Sequence, residues 1–357
     1  MTENPKISII MASYNHEKFV RYTIESVVNQ TFTDWEFIIC DDGSIDSTPK
    51  IIQEYADKDK RIHFILSKEN IGAYSAIDTC LTYAKGKYIA SINSDDMWDE
   101  NKLKIQNNFL DENLKYGAVF SLVQFIDEEN NVKNLANSHP YKYIFNVQNK
   151  SRYKWLNEFF FGGNRLCHPS VLIRKLCHDE CGVYKKELAS LPDFDMWVRI
   201  CMKYEIYIMH EALTKFRILD NEMNESGVRI ENEYRRLIEN YSVLKNYLSI
   251  QSCEEFLKIF PDNPPFTHTD LIPFYLAQQA LTSNEKSTLS FGIHLLYDLL
   301  SNEKNAELIR NEVGFAYKDL HILSRNVDLY NIASVQKRGF LNRIINSRLM
   351  RRIRYIK

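Results

Sequence analysis

Through the first hundred residues, short apolar runs alternate with polar turns and with longer segments whose apolar positions recur at helical spacing. Ile7-Ser8-Ile9-Ile10-Met11 reads as a buried strand and ends in the polar turn Ser13-Tyr14-Asn15. Phe19, Tyr22, Ile24, Val27 and Val28 then follow a helical period through Gln30. A second strand, Phe37-Ile38-Ile39-Cys40, ends in Asp41-Asp42-Gly43-Ser44, and Ser47-Thr48-Pro49 supplies hydroxyl caps and a first-turn proline for the next helix. Ile62-His63-Phe64-Ile65-Leu66 leads into Asn70-Ile71-Gly72, a turn suited to a positive φ at its glycine. After a helix from about Ala73 to Lys85, Gly86 opens the strand Tyr88-Ile89-Ala90-Ser91-Ile92, which delivers Asn93-Ser94-Asp95-Asp96-Met97-Trp98. This repeated order predicts an α/β fold with a mostly parallel sheet covered by helices on both faces.

In open sheets of this kind, ligands sit beyond the carboxyl ends of the strands. The pairs Asp41-Asp42 and Asp95-Asp96 emerge there. Adjacent carboxylates repel unless a proton, a cation or water relieves them, and hard oxygen ligands suit magnesium or manganese. The plainer reading of Asp95-Asp96 is a solvated turn capping a helix that begins near Glu100. The chain contains neither G-x-G-x-x-G in its first turn nor G-x-x-x-x-G-K-[ST], so a dinucleotide dehydrogenase or a P-loop enzyme is disfavoured.

From about Glu225 the pattern turns helical: Tyr234, Leu237, Ile238, Tyr241, Leu244 and Leu248 share a helical spacing, and Asp262-Asn263-Pro264-Pro265 interrupts it. Residues 337–357 hold Lys337, Arg338, Arg343, Arg348, Arg351, Arg352, Arg354 and Lys357 with no acidic residue. Leu341, Ile344, Ile345, Leu349, Ile353 and Ile356 fall close to one helical face, which makes this a basic amphipathic helix able to lie on an anionic membrane surface. With a net charge of −2 over 357 residues and sparse aromatics in the tail, nucleic acid is a poorer partner. Seven cysteines without an even framework or secretory leader fit a reduced cytoplasmic protein, and no apolar run is long enough to span a membrane. The spacing of Cys167, His168, Cys177, His178 and Cys181 does not form a paired C-x-x-C site, and these read as core or loop residues.

Residues 7–15 (ISIIMASYN), 35–48 (WEFIICDDGSIDST), 70–76 (NIGAYSA) and 86–98 (GKYIASINSDDMW) together resemble the family-two inverting glycosyltransferases of the GT-A fold. Residues 191–199 (LPDFDMWVR) resemble the segment that carries that family's catalytic base. The resemblance implies a catalytic domain over residues 1–222, followed by a helical extension over 223–335 and the basic tail over 336–357. It implies Asp193 as the base that takes the acceptor hydroxyl's proton. It places the nucleotide-sugar donor, UDP-linked by expectation, against Ala12, Ser13, Asp42 and Asp95, and a Mn2+ or Mg2+ ion on Asp96.

Asn93 replaces an aspartate that usually opens the acidic motif, which leaves the roles of Asp95 and Asp96 interchangeable. Pro192 replaces a glutamate, and Ala76-Ile77-Asp78 lacks a basic residue that many relatives direct at the phosphates. Arg165 and His168 are candidate donor or acceptor contacts, Asp195 reads as a structural carboxylate, and Lys215-Phe216-Arg217 resembles the end of the catalytic domain or an exposed basic turn. The expected activity is addition of a single sugar to a lipid-linked or surface-glycan acceptor at the inner membrane face. The alternatives are a sugar-1-phosphate nucleotidylyltransferase and a noncatalytic sugar- or lipid-binding protein.

Overall fold

The computed structural model describes residues 4–137, 139–219, 230–327 and 329, so the basic tail lies outside the described residues. The described residues up to 152 and from 164 to 235 form one compact unit, and residues 153–163 with the described residues from 236 onward form another. The first unit is built on an eight-stranded sheet ordered β3-β2-β1-β4-β7-β6-β8-β5. The strands are β1 (Ile7–Ser13), β2 (Trp35–Asp41), β3 (Ile62–Leu66), β4 (Tyr88–Ser91), β5 (Met97–Trp98), β6 (Tyr116–Ile126), β7 (Leu172–Arg174) and β8 (Glu205–Arg217). Strands β1 to β4 run parallel, β7 is antiparallel to both its neighbours, and β6 and β8 are parallel again. The predicted mostly parallel α/β sheet is therefore present.

Strand β1 shows why the near-continuous apolar runs are needed. Ile7, Ile9 and Met11 join a core with Val20, Ile24 and Val27 of helix α1 (Val20–Val28) and Ile52 of α2 (Thr48–Ala56), while Ile10 is equally buried on the opposite face. A strand covered on both sides keeps no solvent-facing polar row. Ser8 is tolerated because its hydroxyl donates to Glu36 Oε1 at 2.6 Å and accepts the Gly86 N–H at 2.7 Å.

Helix α3 (Ala73–Tyr83) starts just after Gly72, whose φ of 93° matches the expected turn. The helix expected near Glu100 is α4 (Lys102–Glu112), and its start is organised by Asp99, whose carboxylate accepts the Asn101 N–H at 2.9 Å. Asp95 and Asp96 are not its caps, because β5 stands between them and the helix. Helix α5 (Arg152–Gly162) follows, then α6 (Lys175–Cys181) and α7 (Pro192–Lys203), which begins with Pro192 and carries Asp193 and Asp195 in its first turn.

The second unit is helical. Tyr153 to Gly163, most of α5, belongs to it: Phe160 packs edge-on against Tyr247 and Phe260, and the Tyr247 hydroxyl donates to the Leu156 carbonyl at 2.7 Å. Helices α8 (Ile230–Leu244), α9 (Cys253–Ile259), α10 (Ile272–Leu281), α11 (Lys286–Ser301), α12 (Glu303–Val313) and α13 (Tyr317–Ser324) follow in chain order.

Candidate active site

The carboxyl ends of β1, β2 and β4 lie side by side, and the first group of candidate residues gathers there. Ser13 and Asp41 are cross-strand partners; the Ser13 hydroxyl donates to Asp41 Oδ2 at 2.8 Å, and Ser44 donates its N–H and hydroxyl to the same carboxylate. Asp41 is thus fully buried and structural. Asp42 turns the other way, and its two oxygens accept the Ile71 N–H at 2.7 Å and the Gly72 N–H at 3.0 Å. Between them, Gly43 has a φ of 75°, and a Cβ there would sit 2.8 Å from the Glu69 carbonyl carbon. Only glycine lets these two turns approach so closely. Ala12 lies half-buried in the same edge, in register with Cys40. The 13–16 turn joins this edge to the acidic motif, since the Asn15 N–H donates to Ser44 Oγ and His16 Nδ1 lies 2.7 Å from Ser94 Oγ.

Asp95 and Asp96 have different surroundings. Asp96 is 1% exposed; Oδ1 accepts the Arg217 N–H at 2.8 Å and Oδ2 accepts the Asn93 amide at 3.0 Å. Burial, reinforced by the neighbouring Asp95 charge, holds the Asp96 carboxyl well above the usual carboxylate range. The Asp95 carboxylate is 8% exposed and has no hydrogen-bond partner among the described residues. Such an acceptor-only group is open to water or to a cation. Its backbone carbonyl takes the Arg217 Nε–H at 2.6 Å, and Thr23 of α1 donates to the Ser94 and Asp96 carbonyls.

Arg217 is the residue whose importance the sequence understated. It is fully buried, not an exposed basic turn, and its guanidinium also donates to the Asp127 carbonyl at 2.6 Å and Asn130 Oδ1 at 2.7 Å. Its place in the Lys215-Phe216-Arg217 motif was the available signal.

Asp193 occupies the first turn of α7. Its Oδ1 accepts the Phe194 N–H at 2.7 Å and its Oδ2 accepts the Asn164 amide at 3.0 Å. Burial pushes its carboxyl up to about 6 despite these donors. Asp195 is fully buried and spent on ion pairs with Lys185 and Arg199, each at 2.7 Å, so it serves structure. His168 lies 3.1 Å from the Tyr184 hydroxyl and packs near the Tyr74 and Trp197 rings, and burial lowers its imidazole to about 4. It is therefore a neutral polar contact at physiological pH. Arg165 is half-buried in the same loop. Asp78, in the segment that lacks a basic residue, is paired at 2.5 Å with Lys186 from a distant part of the chain.

Burial raises the Cys167 thiol, and the charges of Asp96 and Asp193 act in the same direction. Sequence reading did not assign Asn164, Tyr184 or Thr23, because their roles depend on contacts between segments far apart in the chain. Among the described residues no cluster of three or more His, Cys, Asp or Glu side chains is placed to hold a metal by itself. The unpartnered Asp95 carboxylate nevertheless fits a hard divalent ion that takes its remaining ligands from a diphosphate.

Comparison with known proteins identifies the family and the fold. Residues 8–174 match the family described as Glycosyl transferase family 2. An uncharacterized glycosyltransferase of Methanocaldococcus jannaschii is 33% identical over 69% of this chain and 80% of its own. The Escherichia coli UDP-Glc:alpha-D-GlcNAc-diphosphoundecaprenol beta-1,3-glucosyltransferase WfgD is 29% identical over 68% of this chain and 92% of its own. Residues 1-349 of S. aureus TarS, solved in complex with UDP-GlcNAc, share the fold with a TM-score of 0.57 at 17% identity, covering 88% of both chains. With its GT-A-like sheet and its acidic motif at the strand ends, the chain belongs to glycosyltransferase family 2.

Proposed function

We propose that this chain is a metal-dependent inverting glycosyltransferase that moves one sugar from a UDP-linked donor to a lipid-linked or surface-polysaccharide acceptor. The observation that carries this reading is the Asp193 carboxyl in the first turn of α7, held by Asn164 and the Phe194 N–H and lifted by burial to about 6. Inversion by direct displacement needs one base opposite the leaving group, and a carboxyl with a pKa near 6 is ionised yet basic at neutral pH. Ser13, Ala12 and the 42–43 turn line the nucleoside end, with Asp42 offering its remaining lone pairs to a uracil N–H or a ribose hydroxyl.

The hydrogen bonding favours exchanging the expected roles of the acidic pair. Asp96, expected as the metal ligand, has both oxygens committed to Arg217 and Asn93, and Asp95 has the free carboxylate. We therefore assign Asp95 to the metal and Asp96 to holding the motif. A bound Mn2+ or Mg2+ would offset the charge that develops on the departing diphosphate. The lipid-linked acceptor is inferred from the name of the E. coli relative, and the UDP donor from that relative and from the TarS complex.

Residues 1–222 would form the catalytic domain, 223–335 the helical extension, and 336–357 a tail for peripheral docking on the inner face of an anionic membrane. No helix among the described residues is long and apolar enough to cross a membrane.

Transfer should require Mg2+ or Mn2+. Asp95→Asn should raise the metal concentration needed for half-maximal activity, whereas Asp96→Asn should chiefly lower stability. The reverse pattern would return the metal to Asp96. Removing residues 337–357 should weaken sedimentation with anionic vesicles; unchanged sedimentation would eliminate the docking role.

A further inference from the structure

The loop of residues 164–171 fixes Asp193 through Asn164, and its downstream end is gripped by the segment that follows the acidic pair. Trp98 donates its indole N–H to the Pro169 carbonyl at 2.8 Å, Gln106 its amide to the Ser170 carbonyl at 2.9 Å, and Lys102 its amine to the Val171 carbonyl at 3.4 Å. The acceptors are three consecutive carbonyls leaving the 3₁₀ turn His168–Ser170. The donors also bind one another, with Lys102 Nζ 2.8 Å from Gln106 Oε1 and 4.1 Å from the centre of the Trp98 ring. Trp98 is 3% exposed, and Lys102 and Gln106 are fully buried.

An amine in this position is costly. No carboxylate pairs with Lys102 among the described residues, and burial holds its pKa well below the lysine range. An apolar side chain of the same length would pack without that cost. What the amine and its two neighbours supply is position: the turn cannot shift without stretching one of three buried hydrogen bonds. Upstream in the same loop, the Cys167 carbonyl accepts the Ser170 N–H and hydroxyl, His168 packs near Trp197, and Asn164 reaches Asp193.

We propose that Trp98, Lys102 and Gln106 are positioning residues that hold the 164–171 loop, and through Asn164 the Asp193 carboxylate, in register with the Asp95-Asp96 pair. The inference rests on the glycosyl-transfer reading for its kinetic consequence. The clamp ties the base side of the site to the acidic motif just upstream of Trp98, so losing it separates binding of the donor from delivery of the acceptor.

Lys102→Met keeps the length and packing but removes the amine. Trp98→Phe removes the indole N–H bond to Pro169 while keeping an aromatic ring over Lys102. In both full-length variants, hydrogen exchange at residues 164–171 should accelerate while UDP binding, measured calorimetrically, stays unchanged. Misplacement of a base by a fraction of an ångström should lower kcat/KM for the acceptor by about 10- to 100-fold in Lys102→Met and less in Trp98→Phe. Lys102→Met removes the desolvation cost of the amine along with its hydrogen bonds to Gln106 and Val171, two effects of opposite sign, so Tm should change little while acceptor kinetics change strongly, which separates a positioning role from a merely structural one. Unchanged exchange in the loop, unchanged acceptor kinetics, or a loss of transfer that merely follows lost UDP binding or lost folding would overturn the proposal. If the unaltered chain transfers no sugar from any nucleotide donor, the glycosyl-transfer reading fails, while the exchange rates still decide whether the clamp holds the loop.

Discussion

Replacing Asp193 by asparagine tests both the chemistry and the energetics of the site. Asp193 accepts hydrogen bonds from Asn164 and from the Phe194 N–H, and burial lifts its carboxyl to about 6. An unfolded aspartate titrates near 3.9, so the folded state binds the proton more tightly between roughly pH 4 and pH 6. Stability from this group is therefore full below that window and is lost as pH rises through it. Above pH 6 the ionised carboxylate costs the fold about 3 kcal/mol, from two pKa units at about 1.4 kcal/mol each. Asparagine removes that cost but offers one acceptor oxygen in place of two, returning about 1 kcal/mol.

Denaturant melts at pH 8 should show Asp193→Asn more stable than the unaltered chain by about 2 kcal/mol, with the advantage shrinking as pH falls from 6 to 4. Over the same series, transfer should fall by about 100- to 10,000-fold, as expected for loss of a general base. The acid limb of kcat/KM near pH 6 should vanish in the residual activity. A variant that keeps full activity, or whose stability difference is independent of pH, would refute the assignment of Asp193 as a buried base.

Other perturbations follow from the same contacts. Gly43→Ala places a methyl group 2.8 Å from the Glu69 carbonyl carbon at a φ of 75°, and should cost about 2 kcal/mol in chemical denaturation and weaken UDP binding by displacing the turn held by Asp42. Arg217→Met leaves the Arg217 N–H on Asp96 but strips the guanidinium from the Asp95 and Asp127 carbonyls, and should lower stability by about 3 kcal/mol. His178 is 6% exposed with neither ring nitrogen hydrogen-bonded, and burial, aided by the nearby Arg199 charge, lowers it to about 3. Because the unfolded imidazole binds a proton below about pH 6.5, stability should fall as pH drops from there toward 3, by up to about 1.4 kcal/mol per unit, and His178→Phe should flatten that slope in pH-dependent melts.

The parts of this molecule legible in the sequence are those set by local pattern. The buried strands β1, β2 and β4 announced themselves as apolar runs, and Asp42, Asp95 and Asp96 followed because a carboxylate just past such a run emerges at the sheet's carboxyl edge. Gly72 marked a turn for a reason internal to its own backbone. Roles decided by distant partners stayed hidden. What distinguishes Asp95 from Asp96 is an N–H from Arg217, 121 residues away, and what lifts Asp193 is burial beside Asn164, 29 residues upstream. Lys102 reads as an ordinary helical lysine until the Pro169, Ser170 and Val171 carbonyls are folded onto its helix. Most of α5 likewise belongs to the helical unit although it lies within the α/β stretch of the chain, since Phe160 finds its aromatic partners Tyr247 and Phe260 there.

The central claim is single displacement at the anomeric carbon with Asp193 as the base, and the anomeric configuration of the product tests it most directly. With a UDP-α-sugar and a suitable lipid-linked acceptor, proton NMR of the freshly formed linkage should show the β configuration. A product that retains the α configuration would contradict a one-base displacement and with it the role given to Asp193.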